Sequence, residues 1–452
     1  MASNRILLQN GCVITVDTQL GNFRQADVLI EGTKIAAVGP ELGVTDAEVI
    51  DASNMIVMPG LIDTHRHLWE AILRNISADG VLGNYFPDVM GALAPVYRPE
   101  DIYASNFIGA LGAIDAGITT LLDWSHHHNT PEHSDASIQA LKESGLRTVF
   151  AYGTPNVSFS EWWYNSSLNH SEDVRRLRTQ YFSSEDQLIT LAMALRGPEF
   201  TTMDVIWHDW ALARDIGARI TVHVGVSTYG FSGGVKRMYE EGLLGPDTTY
   251  VHCCTLSDEE LKAIVDTGGT FSIATAVEMT MQHGMPPIDR ILRLGARPSL
   301  SVDVETNAPG DLFTQMRAAL QCQRALVNQR ALYGGSFEGE TLVTVRNVLE
   351  FATIEGARAN GLDHKTGSLT PGKEADIILL RTDRLNVTPL NDPIGAVVVG
   401  ADTSNVDSVF IAGRAMKRNG QLLNVDLPHV RKLATDSRDY VVATSGFTLP
   451  TF

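Results

Sequence analysis

Short apolar segments alternate with amphipathic stretches through the centre of this 452-residue chain, and this alternation constrains its fold most strongly. Counting one that ends at His65, eight segments have the composition of buried strands; the other seven are 118–122, 147–152, 188–195, 220–223, 250–252, 270–274 and 299–303. Helical patterns lie between them, at 101–116, 204–216, 258–267 and 312–328. Eight strand–helix units predict a parallel (β/α)8 TIM barrel. A doubly wound open sheet is the alternative, but no glycine-rich phosphate fingerprint follows the first strand.

Both ends of the chain have strand patterns without intervening helices. Near the N-terminus, two β-branched and apolar runs, 5–16 and 27–38, are punctuated by turn signals. After Gly367 strand signals return at 376–380, 396–399 and 406–411, with Ala412-Gly413 as a predicted hairpin turn. We therefore predict a small composite β-sandwich built from both termini. Its first part is 1–58, the barrel is 59–365, and its second part with a C-terminal tail is 366–452.

The charge balance narrows the choice of partners. A formal net charge of −18 disfavours nucleic-acid polymers and anionic membranes, because both require clustered lysine and arginine. Four dispersed cysteines without a CxxC spacing indicate neither a zinc ribbon nor a disulfide framework. The N-terminus lacks a signal-peptide core, and no apolar stretch is long enough to span a bilayer. We expect a cytoplasmic protein that acts on a small molecule.

Polar side chains stand at the ends of several predicted barrel strands. His65 and His67 are spaced i, i+2 at the end of the first strand, so both side chains point to one face. His223, His252 and Asp303 follow the fifth, sixth and eighth strands. Since barrel active sites lie at the carboxyl ends of the strands, we expect these residues to converge. Two imidazoles on one face can share a metal ion, so the sequence predicts a metal site.

These residues belong to a wider pattern that resembles the amidohydrolase superfamily, most closely its triazine hydrolase, cytosine deaminase and thiomethyladenosine deaminase-like branch. The likeness covers nearly the whole chain. Besides the spaced histidines and aspartate, its motifs are PGLIDTHRH at 59–67, GITT at 117–120, ATIEGARA at 352–359 and GSLTPGKEAD at 367–376. The resemblance implies a distorted (β/α)8 barrel with a composite β-sandwich.

The resemblance also implies residue roles. One divalent metal, expected to be zinc with iron left open, would be bound by His65, His67, His223 and Asp303. Three imidazoles and a carboxylate suit zinc, which lowers the pKa of water towards ~7. Asp303 would act as general base and then acid, and His252 would hydrogen-bond the water or polarise the substrate. Two-metal relatives use a carbamylated lysine on the fourth strand; 188–195 contains no lysine, so one metal is predicted.

One position departs from the deaminase pattern. Deaminases of this branch carry His-x-x-Glu at the fifth strand, and the Glu protonates a ring nitrogen. Here Val226 stands in that position, and valine cannot transfer a proton. The run His126, His127 and His128, which follows the second strand, is the candidate replacement, because an unperturbed imidazole titrates near pH 6.5.

The expected pocket is largely aromatic. Candidate substrate contacts are Trp69, Tyr85, Phe86, Trp124, His283 and Glu305, and their rings suit an aromatic or heterocyclic substrate. We expect hydrolytic displacement of an amine, ammonia or halide. A lyase, a hydratase or a cyclic-amide hydrolase on the same scaffold is one alternative; a non-catalytic binding relative is another, although all five metal-site residues are retained. Relatives are commonly dimers or tetramers, so a homo-oligomer is expected.

Overall fold

Two sheets contain the seventeen strands of the computed structural model, which describes residues 5–337 and 343–450. The strands are β1 Arg5–Val13, β2 Phe23–Glu31, β3 Lys34–Gly39, β4 Glu48–Asp51, β5 Met55–Pro59, β6 Leu61–Arg66, β7 Ile118–Ser125, β8 Arg147–Tyr152, β9 Ile189–Leu195, β10 Arg219–Val224, β11 Thr248–His252, β12 Thr270–Ile273, β13 Ser299–Leu300, β14 Ile377–Arg381, β15 Val406–Ile411, β16 Arg414–Arg418 and β17 Gln421–Leu422. The main helices are Pro99–Asp115, Pro131–Ser144, Asp173–Gln180, Met203–Asp215, Gly234–Glu240, Asp258–Asp266, Thr275–Thr280, Ile288–Arg293, Leu312–Tyr333, Val345–Phe351, Ile354–Ala359 and Leu427–Ser445.

Strands β6 to β13 form one parallel sheet in chain order, and each of the eight predicted barrel strands is found within the described residues. Strands β7, β8 and β9 are buried at every position, as expected where helices cover a parallel sheet. Helix Asp258–Asp266 begins at a capping box in which Ser257 and Glu260 satisfy each other's backbone N–H groups. The predicted barrel architecture is confirmed.

The ring of strands closes at its polar end. Arg66 pairs in parallel with Asp303. The Asp303 N–H donates to the His65 carbonyl, and the His67 N–H donates to the Asp303 carbonyl, both at 2.9 Å. Backbone pairing between the first and last strands therefore fixes the spacing of these three side chains.

The second sheet joins strands from both ends of the chain. Its order is β17-β16-β15-β14-β5-β1-β2-β3, with β4 beside β1, and β14 runs antiparallel to β5. Side chains from both ends share one core, including Leu8, Val28, Val57, Ile377 and Phe410. The predicted turn at Ala412-Gly413 connects β15 to β16 and is confirmed.

The strand predicted at 396–399 is wrong, because Ala396–Gly400 is helical. Asp392 accepts the N–H of Ile394, and Pro393 occupies the first turn, so a helical start precedes the valines and overrides their β preference. Contacts cluster into two units, one of 1–63, 113–120 and 311–425 and one of 64–112, 121–310 and 426–452. The boundaries at 58 and 365 stay predictions. No helix within 5–337 or 343–450 is long and apolar enough to cross a membrane.

Candidate metal and substrate site

Three histidines and an aspartate converge where the barrel closes. His65 Nε2 lies 3.1 Å from Asp303 Oδ1 and 3.1 Å from His223 Nε2. His67 Nε2 lies 3.4 Å from the same Asp303 oxygen. All four side chains are buried. The structure thus brings together the residues that the sequence places at the ends of the first, fifth and eighth strands.

The state of these side chains fits a cation between them. Burial lowers the pKa of His65 to about 3 and that of His223 well below its ordinary value, so both rings are neutral at pH 7. His67 Nδ1 donates to the Trp124 carbonyl at 2.9 Å, which turns its Nε2 towards Asp303. Three imidazole nitrogens and a carboxylate oxygen gathered this closely form a donor set that suits a zinc ion.

His252 stands beside this group on the other oxygen of Asp303. Its Nε2 is 3.8 Å from Asp303 Oδ2. By distance alone, His65, His223, His252 and Asp303 also form a set whose ligand atoms lie within 4.8 Å of one another. His252 Nδ1 donates to Glu278 Oε1 at 3.2 Å, and that buried carboxylate also accepts the Ala274 N–H at 2.8 Å. Glu278 therefore holds the ring of His252; no sequence pattern singled it out.

Left-handed backbone turns aim several site residues inward. His252, Cys253 and Asp303 have φ values of 72°, 58° and 70°. Such conformations cost a non-glycine residue about 1–3 kcal/mol and cluster at functional sites. Gly225, at φ 68°, is required for another reason, since a Cβ there would lie 2.8 Å from the Cys253 backbone. The strand ends are thus shaped for side-chain placement at some expense in stability.

A cavity opens beside the histidines. One end is polar and is formed by His67, His126, His223, His252, His283 and Asp303. The rest of the wall is apolar or aromatic: Leu82, Tyr85, Phe86, Met90, Trp163, Phe200, Val226, Met281 and Val304. Val226 thus faces the cavity, and its side chain presents methyl groups where the deaminase pattern has a carboxylate.

Five of the predicted catalytic or substrate residues outside the metal group line this cavity: His126, His252, Tyr85, Phe86 and His283. The others have structural contacts instead. Trp69 stacks on His127 with ring centroids 3.9 Å apart, and His128 stacks on Tyr152 at 4.5 Å. Trp124 packs against His223 at 4.4 Å, and Glu305 accepts two hydrogen bonds from Arg74 at 2.9 and 3.2 Å. Their roles in substrate binding stay predictions.

The three candidate histidines differ in their surroundings. The Asn156 amide donates to Nδ1 of His126 at 3.4 Å and to Nδ1 of His127 at 3.2 Å. This bond leaves the proton of His126 on Nε2. Burial, reinforced by neighbouring His67, lowers the pKa of His126 well below 6.5. His126 is therefore a neutral hydrogen-bond donor at pH 7, which differs from the unperturbed imidazole that the sequence suggested.

The half-buried carboxylate of Glu199 supports the loop that carries Val226. Glu199 accepts the N–H of Gly225 at 2.5 Å and that of Val226 at 3.5 Å. Burial raises the pKa of Glu199 to about 7 despite these bonds. Since the ordinary value is 4.5, the folded protein holds this proton more tightly than the unfolded chain between pH 4.5 and about 7.

Glu199→Gln is therefore expected to change how stability depends on pH. In the wild type, the raised pKa makes the free energy of unfolding fall as pH rises through this window, by up to about 3 kcal/mol. The variant lacks this loss, so its Tm relative to wild type should rise between pH 4.5 and 8. Thermal melts across this range measure the difference, and the exposed Glu259→Gln variant supplies the baseline. A difference that does not change with pH would contradict the expectation.

The sequence of this chain is similar to those of known proteins over nearly its whole length. The model of the amidohydrolase family matches residues 56–416. The 5'-deoxyadenosine deaminase of Methanothermobacter thermautotrophicus is 30% identical over 424 residues, covering 92% of this chain and 94% of that protein. The 5-methylthioadenosine/S-adenosylhomocysteine deaminase of Symbiobacterium thermophilum is 25% identical, covering 91% of this chain and 93% of its own.

Solved structures show the same fold. A zinc-bound adenosine deaminase from Xanthomonas campestris superposes with a TM-score of 0.84 at 20% identity, covering 97% of this chain and 98% of its own. An atrazine chlorohydrolase from Arthrobacter aurescens TC1, complexed with zinc, has a TM-score of 0.84 at 23% identity and covers 96% of this chain and 100% of its own. At these identities the likeness concerns the fold, and it agrees with the barrel described above.

Proposed function

The chain belongs to the amidohydrolase family, and from that premise we propose that it is a metal-dependent hydrolase that displaces an amine, ammonia or halide from a small heterocyclic or aromatic substrate. The observation that carries the proposal is the convergence of His65, His67, His223 and Asp303 at the polar end of an otherwise apolar cavity. Deaminases and a chlorohydrolase among the similar proteins support the bond class, carbon–nitrogen or carbon–halogen.

These four residues are the proposed ligands of one divalent metal, with zinc favoured by the donor set and by the zinc-containing structural neighbours. We prefer His67 to His252 as the third imidazole, because His67 Nε2 faces the same Asp303 oxygen as His65 Nε2, whereas His252 Nε2 lies 3.8 Å from the other oxygen. When bound, zinc supplies Lewis-acid activation of water at neutral pH.

Asp303 is the proposed proton carrier. Burial acts to raise the pKa of Asp303, but hydrogen bonds from His65 and His67 hold that pKa well below its ordinary range. The side chain is therefore ionised and can accept a proton from water. His252, held by Glu278, faces the second Asp303 oxygen and is placed to hydrogen-bond the attacking water or the substrate. The oxygen of water then bonds to the ring carbon as the bond to the leaving group breaks. An amine or ammonia departs with the proton that Asp303 returns, whereas a halide departs as the anion and that proton passes to solvent.

His126 is the proposed substitute for the missing glutamate. It lines the cavity and presents Nε2–H as a donor, and a neutral imidazole can polarise a substrate without becoming charged. We expect His126→Ala to lower kcat about 100-fold, with zinc content unchanged. His128→Ala is the comparison, since His128 bonds to Ser134 and stacks on Tyr152 away from the cavity lining. Equal kcat losses in the two variants would contradict the assignment.

The proposal is tested by metal analysis of the purified protein together with turnover of aminated, halogenated and cyclic-amide heterocycles. About one zinc per chain with release of ammonia, amine or halide is the expected result. Product analysis in ¹⁸O-labelled water separates displacement, which puts one labelled oxygen on the ring carbon in place of the leaving group, from ring opening or addition. A protein without metal and without turnover would favour the non-catalytic alternative.

We also propose a cytoplasmic homo-oligomer, a dimer or tetramer. The four free cysteines, two of them buried, support a reducing compartment. Leu332 and Tyr333, at the end of helix Leu312–Tyr333, are 65% and 86% exposed and offer an apolar surface for a second copy. Light scattering after size exclusion measures the oligomeric state, and a monomer would contradict this part.

A further inference from the structure

We propose that the cavity accepts a neutral, flat, hydroxyl-free heteroaromatic ring that carries a hydrogen-bond acceptor, and that it excludes nucleosides. This inference rests on the proposed function for the position of the reacting carbon. It differs from the substrates in the names of the two curated relatives described above, which are deaminases of nucleosides.

The cavity wall away from the histidines is almost free of hydrogen-bonding side chains. Among the described side chains that line it there, only Tyr85 has a hydroxyl, and none has an amide, guanidinium or ammonium group. The Tyr85 hydroxyl already donates to buried Glu70 at 2.5 Å. A ribose diol brought against Phe86, Met90 and Phe200 would lose its water without gaining acceptors, which costs about 1–3 kcal/mol for each hydroxyl.

The indole of Trp163 brings a hydrogen-bond donor to the same wall. Trp163 lines the cavity, is 5% exposed, and its Nε1 has no hydrogen-bond partner among the described residues. The Nε1 atoms of three other buried tryptophans also lack a partner among the described residues, but only Trp163 of these four lines the cavity; the others are Trp69, Trp124 and Trp210. An acceptor atom on the substrate, such as a ring nitrogen, would satisfy the Trp163 N–H. Trp163 also stacks on Phe159 at 6.1 Å and meets Phe200 edge-on at 5.2 Å, so aromatic rings build this part of the wall.

Hydrogen bonds between loops hold the wall of the cavity in place. The Leu82 N–H donates to the Met281 carbonyl at 3.2 Å, and the Ser227 N–H donates to the His283 carbonyl at 2.8 Å. These bonds tie three loops together around the cavity, and the Tyr85–Glu70 bond fixes the segment that bears Phe86 and Met90. The apolar surface is therefore a built part of the site, and Tyr85 and His283 are the polar side chains that these loops bring to the cavity among the described residues.

The test compares two ligands that share a reacting carbon, a leaving group and a five-membered substituent. They are 6-chloro-9-cyclopentylpurine and 6-chloropurine 5'-deoxyriboside, assayed with the zinc-loaded full-length protein. The preference for the cyclopentyl compound over the riboside is the ratio of their kcat/KM values where chloride is released. Where chloride is not released, it is the ratio of their Kd values measured by calorimetry. We expect the cyclopentyl compound to be favoured about 100-fold, from two unpaired hydroxyls. A preference below about tenfold, or no binding of either ligand, would overturn the inference.

Trp163→Phe provides the second readout, because it keeps the aromatic wall and removes the N–H. We expect the affinity for the cyclopentyl compound to fall about tenfold, with zinc content unchanged; an unchanged affinity would overturn the role of the indole. The inference and the proposed function fail separately. If chloride is released from neither compound while the affinity ratio holds, hydrolysis is wrong and the ligand class stands. If the riboside is hydrolysed as well as the cyclopentyl compound, the hydrolytic function stands and the exclusion of nucleosides is wrong.

Discussion

Zinc and turnover are expected to disappear together from His65→Ala. His65 Nε2 is within 3.1 Å of both His223 Nε2 and Asp303 Oδ1, so it stands at the centre of the proposed ligand set. Removing one of four ligands leaves three donors and an apolar gap on a fully buried face. We expect zinc content to fall to a small fraction of one ion per chain and kcat/KM to fall at least about 10⁴-fold.

Mass spectrometry of the metal and a kinetic assay on the same preparation measure this result. Circular dichroism checks that the variant is folded, and His429→Ala, which changes an exposed histidine on helix Leu427–Ser445, is the control that keeps both metal and activity. Adding zinc to chelator-treated wild type should restore turnover, whereas adding zinc to His65→Ala should not. A variant that retains stoichiometric zinc would refute the assignment of His65.

The sequence was most informative where the backbone pattern alone determines position. Eight apolar strands that alternate with helices predict a barrel. Barrel geometry brings together the strand ends at His65, His223 and Asp303, independently of the loop conformations. The valine-rich stretch at 396–399 shows the limit of such reasoning, because a proline and an aspartate upstream started a helix there.

The walls of the cavity could not be predicted in the same way. Phe200 and Val304 reach it from segments with no periodic pattern, and the predicted wall residue Trp69 turns to stack on His127. The direction in which a loop side chain points depends on tertiary hydrogen bonds, such as the one from the Leu82 N–H to the Met281 carbonyl. The spacing of residues in the sequence does not predict such bonds.

Three carboxylates beside the site, two of them buried and that of Glu199 half-buried, explain how the site is arranged without a glutamate at position 226. Glu70 bonds to Tyr85, Glu199 to the backbone of Gly225, and Glu278 to His252. Each is committed to positioning another group, and none of the three is among the residues that line the cavity. Asp303 is the carboxylate that does, so proton transfer during the reaction converges on this one side chain.

Asp303→Asn is accordingly expected to separate metal binding from catalysis. The amide keeps the size of the side chain and one oxygen that can reach a metal, but it cannot accept a proton from water. We expect zinc to bind more weakly yet fill the site at excess metal, while kcat falls about 10³- to 10⁴-fold. Calorimetric zinc titration and kinetics at saturating zinc measure the two effects separately. Wild-type kcat in a zinc-saturated variant would show that another group carries the proton. Loss of zinc with normal folding would show that the carboxylate charge is needed for the metal first, and both readings start from the same 3.1 Å contact with His65.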